Sequence, residues 1–170
     1  RSISSLTETP APVRALQDQL ADLIEQIFGD DQHLVRLVTA GTEPVYLPPE
    51  QTTQVLPIAQ EALLNASGHA RAKVISLTLE QWGDGLRIII EDDGVGFDPH
   101  KSRRGNRDHF GLSIMRARAK RIGGRLDVDS QPGQGTKVSL IWDPDGGDHS
   151  SRTGLEGRQF MLYSQVPEAK

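Results

Sequence analysis

Leu86 to Phe97 reads LRIIIEDDGVGF. Its first half, with Ile88, Ile89 and Ile90 in succession, predicts a short β-branched strand buried on both faces. The second half is a turn. Asp92 and Asp93 lie just past the apolar run, and Gly94 and Gly96 then free the backbone from the limits a Cβ imposes. A rigid strand thus ends in an acid and passes into backbone that a ligand can approach closely. The same residues also suit an ordinary strand exit with two solvated acids, because Gly and Asp are common in loops.

The neighbouring stretches narrow the choice. Upstream, Val74 to Trp82 alternates Ile75, Leu77 and Leu79 with Ser76, Thr78 and Glu80, and Gly83, Asp84 and Gly85 follow, so this strand and the next should form an antiparallel hairpin. Before it, a helix starting near Glu50 or Gln51 and running to about Gly68 carries Val55, Ala59, Ala62 and Ala66 on one stripe, with Leu56 and Leu63 beside it. Pro57 suits the first turns of that helix, or delays its start. Glu61 and Asn65 are four apart and so share a side of the helix. An acid that can take a proton and an amide oxygen that can ligate a hard cation would face one place. A solvated pair on an exposed face has the same spacing.

Downstream, Asp98 to Phe110 has almost no apolar residue and reads as a mobile loop. Lys101, Arg103, Arg104 and Arg107 against Asp98 and Asp108 make it locally positive, which suits a phosphate-bearing ligand or plain solvation. Gly111 to Ile122 predicts a third helix with Leu112, Met115 and Ala119 on one face. Its last turns are basic, and Gly123 and Gly124 stop it. Gly111 at the start would let an anion near the unpaired amides of that terminus. Arg125 to Ser130 and Thr136 to Trp142 are strands, with Leu126, Val128, Val138, Leu140 and Trp142 inward and a tight turn at Gln131 to Gly135.

Nearer the start, Leu16, Leu20, Leu23 and Ile27 form one helix face that Gly29 ends, and His33 to Thr39 reads as a strand. Residues 1–12 read as a linker, 13–142 as one domain and 143–170 as a largely disordered tail in which only Gln159 to Val166 carries weak order. At 170 residues the chain is long enough for one well-buried core. It begins with Arg1 rather than methionine, as expected of a piece of something longer. A net charge of −4 gives no general electrostatic reason to bind nucleic acid or an anionic membrane, so any anion site must be local. With no cysteine there is no disulfide framework, thiolate nucleophile or Cys-based zinc site, and a reducing compartment is compatible. No apolar run approaches the roughly 18 residues that span a bilayer. The glycines do not make the GxGxxG of a Rossmann site.

Four motifs appear in order: QEALLN with GHA (Gln60 to Asn65, Gly68 to Ala70), DDGVGFD from Asp92, HFGLSIMRARA (His109 to Ala119) and GQGT (Gly133 to Thr136). Together they resemble the ATP-binding catalytic domain of sensor histidine kinases, in the ATPase superfamily shared with gyrase, the heat-shock protein of ninety kilodaltons and MutL. The single GL followed by M-R-x-R-A is similar to the nitrate/nitrite sensor branch. The resemblance covers roughly Pro12 to Trp142. It implies an α/β (α+β) fold of the Bergerat type, a two-layer sandwich of about three helices on a mixed, mostly antiparallel five-stranded sheet.

The resemblance also implies ATP and Mg²⁺ as cofactors and a role for each matching residue. Asp92 would take the adenine amino group, supported by Thr136. Asn65 would be the Mg²⁺ ligand and Glu61 the catalytic base. Gly94 and Gly96 would form the turn beneath the nucleotide, Gly111 and Leu112 the junction of lid and helix, and His69 part of the nucleotide site. The implied reaction transfers the γ-phosphoryl group to a histidine on a separate dimerisation and phosphoacceptor domain, and thence to a response regulator. The implied setting is the cytoplasmic portion of an inner-membrane sensor, attached only through missing upstream segments. Two departures stand out: Gly68 replaces the lysine usual before the histidine of that segment, and none of His33, His69, His100, His109 or His149 has a phosphoacceptor setting. A stand-alone ATPase and a non-catalytic nucleotide-binding module are the alternatives.

Overall fold

The computed structural model describes residues 12–41, 43–68, 71–99 and 107–144. Most of the expected linker, His69, the bases Lys101, Arg103 and Arg104, and the tail beyond Pro144 lie outside the described residues. The chain runs α1 (Leu16–Phe28), a 3₁₀ turn (Gly29–Leu34), β1 (Val35–Ala40), α2 (Pro49–Gly68), β2 (Ile75–Trp82), β3 (Gly85–Asp92), α3 (Arg107–Arg121), β4 (Arg125–Ser130) and β5 (Thr136–Trp142). The five strands form one sheet in the order β1-β2-β3-β5-β4. β1 pairs parallel with β2, and every other pairing is antiparallel. This is the mixed, mostly antiparallel sheet under three helices that the motifs imply.

Period-two alternation decides which side of the sheet meets the helices. Leu77 and Leu79 of β2, Ile88 and Ile90 of β3, and Val138 and Leu140 of β5 are buried in one core with Leu16 and Leu20 of α1, Leu63 of α2 and Met115 of α3. Ile89 points the other way and is half-buried, so β3 is covered fully on one face only. The expectation of burial on both faces fails here because the helices all lie on one side of the sheet. The two-residue turn between β2 and β3 is made by Gly83, at φ +53, and Asp84.

Three details of α1, β1 and α2 refine the expectation, although Gly29 ends α1 as expected. α1 turns Leu16, Leu20 and Ile24 into the core, with Leu23 and Ile27 only partly covered, and Gly29 ends it at φ 52. The six residues after Phe28 wind as a 3₁₀ turn, which delays β1 to Val35. Pro57 lies inside α2, two turns past its start, where a proline costs about 3 kcal/mol. Burial of Val55, Ile58 and Leu63, at about 1.5–3 kcal/mol each, outweighs that cost.

The largest difference is at α3, which starts at Arg107 rather than Gly111. Gly111 is therefore in the helix interior, and the anion site expected from unpaired amides at that glycine is not there. The charged residues 107–109 hide the extra turn because they carry no apolar period. No helix among the described residues is long and apolar enough to cross a membrane.

Candidate functional site

The strand register determines what stands at the open end of the sheet. Asp92 is paired with Thr136 across β3 and β5, and Ser130 of β4 with Thr136 on its other side. One step deeper, Ile90 is paired with Val138. All lie on the helix-facing side, so two apolar residues form a floor that ends in a polar row. Above the floor is a cleft of about 290 Å³. Ala62 and Asn65 of α2 and Leu112 of α3 close it from the helix layer, and Val95, Gly96 and Phe97 form its rim. An apolar slot with a few convergent polar groups is the usual construction of a small-molecule site.

The two acids of the DDG run have separate tasks. Asp92 is buried at 8% exposure, and its Oδ1 accepts the Gly94 N–H at 2.9 Å. Burial pushes its carboxyl above the usual carboxylate range. The Gly94 and Thr136 amides pull it back, while the charges of Asp93 and Glu91 add to the rise. Asp93 is exposed and turned to the start of β2, where its Oδ1 accepts the Lys73 and Val74 N–H groups at 2.7 and 3.0 Å. Those bonds hold its carboxyl below the usual range. Asp92 therefore faces the cleft and Asp93 ties the chain ahead of β2.

The rim is interlocked with the β4–β5 turn. Gly96 takes φ +59, and a Cβ there would run into the Gln131 and Gly135 carbonyl oxygens. Gly135 takes φ +76, and a Cβ there would run into the Asp92 carbonyl oxygen. Left-handed backbone and backbone-to-backbone approach both require glycine at these two positions. The Gly133 N–H donates to the Val95 carbonyl at 2.6 Å, closing the two turns on one another.

Of the residues singled out in the sequence, Asn65, Asp92, Gly96, Leu112 and Thr136 line the cleft together. Gly94 contributes through its bond to Asp92. Glu61 and Gly111 are not among the lining residues. They meet each other instead, the Glu61 carboxylate occupying the space a Cβ on Gly111 would need. Sequence reasoning missed Ile90, Val138 and Ala62. Period two back from Asp92 and forward from Thr136 finds the first pair, and one turn back from Asn65 finds the third. Among the described residues no cluster of three or more His, Asp or Glu could hold a metal by itself.

Residues 50–146 match the profile of the family described as histidine kinase-, DNA gyrase B- and HSP90-like ATPase. The chain is similar to the nitrate/nitrite sensor protein NarQ of Escherichia coli, at 37% identity over 84% of this chain and 24% of that protein. It is also similar to an uncharacterized sensor-like histidine kinase of Chloroflexus aurantiacus, at 41% identity over 48% of this chain and 14% of that one. The chain thus spans at most about a quarter of the length of these two relatives. Its fold matches the histidine kinase domain of a blue-light activated kinase from Erythrobacter litoralis EL346, with a TM-score of 0.57 and 23% identity, over 77% of this chain and 64% of that one. The chain is a member of the family of histidine kinase-, DNA gyrase B- and HSP90-like ATPases.

Proposed function

We propose that residues 13–142 are the ATP-binding catalytic domain of a sensor histidine kinase. On this reading the chain transfers the γ-phosphoryl group of ATP to a histidine on the dimerisation domain of the parent protein, from which a response regulator receives it. The observation that carries this reading is that Asn65 and Asp92, from different elements, line one cleft whose floor is apolar. A purine fits between Ile90, Val138 and the rim, with its amino group toward the Asp92 carboxylate. The triphosphate then leads out past Asn65 toward Glu61, with the Gly94 and Gly96 turn beneath the nucleotide and Gly111 and Leu112 beside its path; the resemblance adds His69, which lies outside the described residues.

The donor set fits a Mg²⁺ ion that arrives with the triphosphate, since Asn65 offers one amide oxygen and the described protein offers no cage of its own. Bound in that way, the ion would neutralise charge on the phosphates. In the transfer, an imidazole nitrogen of the acceptor attacks the γ-phosphorus and the bond to the bridging oxygen breaks, releasing ADP. Glu61 takes the imidazole proton. Positioning and charge stabilisation supply most of the rate. The domain would work in the cytoplasm, reaching a membrane only through upstream segments of the parent.

A second reading, a nucleotide-binding module without kinase activity, is favoured by Gly68 at the end of α2, where the family usually carries a phosphate-facing lysine and, among the described residues, no atom lies within 4 Å of the place a Cβ would take. Mixing the chain with Mg²⁺-ATP and a dimerisation segment of the parent protein separates the two. Label appearing on the histidine supports the kinase, and ATP binding without any label supports the module.

A further inference from the structure

Ser130 is a buried hydroxyl at the end of β4, only 6% exposed, that no step above uses. Its Oγ accepts the Phe97 N–H at 2.9 Å, donates to the Gly135 carbonyl at 2.9 Å, and lies 3.0 Å from the Thr136 Oγ1. A serine hydroxyl has one hydrogen, and a carbonyl oxygen can only accept. The Ser130 hydrogen is therefore spent on Gly135, and in the contact with Thr136 the threonine must be the donor. The Thr136 hydroxyl, which also lines the cleft, is left with only lone pairs to offer a ligand. Its neighbour across the ladder, the Asp92 carboxylate, likewise only accepts when ionised.

We propose that Ser130 is a positioning residue that fixes the Thr136 hydroxyl as an acceptor, giving the cleft an acceptor-only end that takes a base with an amino edge and rejects one with a carbonyl edge. This rests on the nucleotide reading given above. A carbonyl oxygen placed against two acceptors has no partner, and an unpartnered buried polar group weakens binding by roughly ten-fold or more.

The test compares ATP with inosine triphosphate, which carries a 6-oxo group in place of the 6-amino group, by titration calorimetry with Mg²⁺. The unmodified chain is expected to favour ATP by about ten-fold or more. In Ser130→Ala the Thr136 hydrogen is released to meet a carbonyl, so the preference should shrink several-fold, whereas Ser130→Thr, which keeps the hydroxyl, should retain it. A purely structural Ser130 would weaken both nucleotides alike, and an unchanged ratio in Ser130→Ala overturns the proposal while leaving the nucleotide reading intact. Should Ser130→Ala not fold, Thr136→Val decides the matter, because a ratio unchanged on removing that hydroxyl also overturns it. Binding of neither nucleotide by the unmodified chain would instead overturn the nucleotide reading.

Discussion

Asp92 and Thr136 stand directly opposite each other as the last rung of the antiparallel ladder of β3 and β5, both facing the helix layer. This pairing places a carboxylate and a hydroxyl side by side on sheet backbone, which is more rigid than a loop. The apolar floor of Ile90 and Val138 is the adjacent helix-facing rung of the same ladder. An acid here is costly in the empty cleft and useful in the filled one.

That cost has a sign. Because the Asp92 carboxyl is raised in the folded chain, mainly by burial, its contribution to stability is fully present below the unfolded value and is lost as pH rises through the folded value. At neutral pH the ionised group is a net cost, so Asp92→Asn is expected to leave the melting temperature of the nucleotide-free chain unchanged or raised. Nucleotide binding has the opposite dependence. An amino donor favours the carboxylate, so ATP affinity should fall as pH is lowered through the raised value. Thermal melts and titrations across the mildly acidic range check both, with Asp92→Asn as the control for protonation of the nucleotide itself.

Asp93 is expected to behave the other way. Its carboxyl is depressed by the Val74 and Lys73 amides, so the stability it contributes is present above its unfolded value and is lost as pH falls through the folded one. Asp93→Ala should lower the melting temperature at neutral pH, and the difference from the unmodified chain should close in acid. ATP affinity should change little, because this carboxylate is turned to the start of β2 and is not among the residues that line the cleft.

The rim glycines separate strain from collision. Gly133→Ala meets no atom of the described residues within 4 Å but sits at φ +83, so it should cost only the left-handed penalty of about 1–2 kcal/mol. Gly96→Ala and Gly135→Ala add a collision with backbone oxygens and should cost clearly more, with loss of nucleotide binding as the rim separates from the turn. Urea unfolding of the three variants gives the order directly.

Gly111 couples helix stability to the position of Glu61. Alanine is preferred over glycine inside a helix by about 1 kcal/mol, and the obstacle to a Cβ there is the end of a flexible side chain. Gly111→Ala should therefore melt at or above the temperature of the unmodified chain while displacing the Glu61 carboxylate. Phosphoryl transfer to the histidine should fall by about ten-fold or more, as expected for a misplaced base, with a smaller change in ATP affinity.

Most of the sheet could be read in advance, because alternation in β2 and β5 and the glycine turns at Gly83 and Gly133 are local signals. Asp92 was legible for the same reason, as an acid ending an apolar run. Two parts were not. The start of α3 carries charged residues with no apolar period, and Gly111 marks a close approach to Glu61 across two helices, a relationship no local pattern encodes. The Ser130 network also depends on register and turn closure together, since Phe97 comes from the chain after β3 while Gly135 and Thr136 lie at the entry to β5. A short polar residue at a strand end gives no hint of that.

The most direct measurement is a titration of the chain with a fluorescent adenine nucleotide in the presence of Mg²⁺, repeated with Asp92→Ala. Loss of a hydrogen bond to a charged group is worth about 1.5–3 kcal/mol, so saturable binding that weakens by roughly ten-fold or more in the variant is the expected result. Binding that is equally tight without the Asp92 carboxylate would contradict the assignment of this cleft as the ATP site.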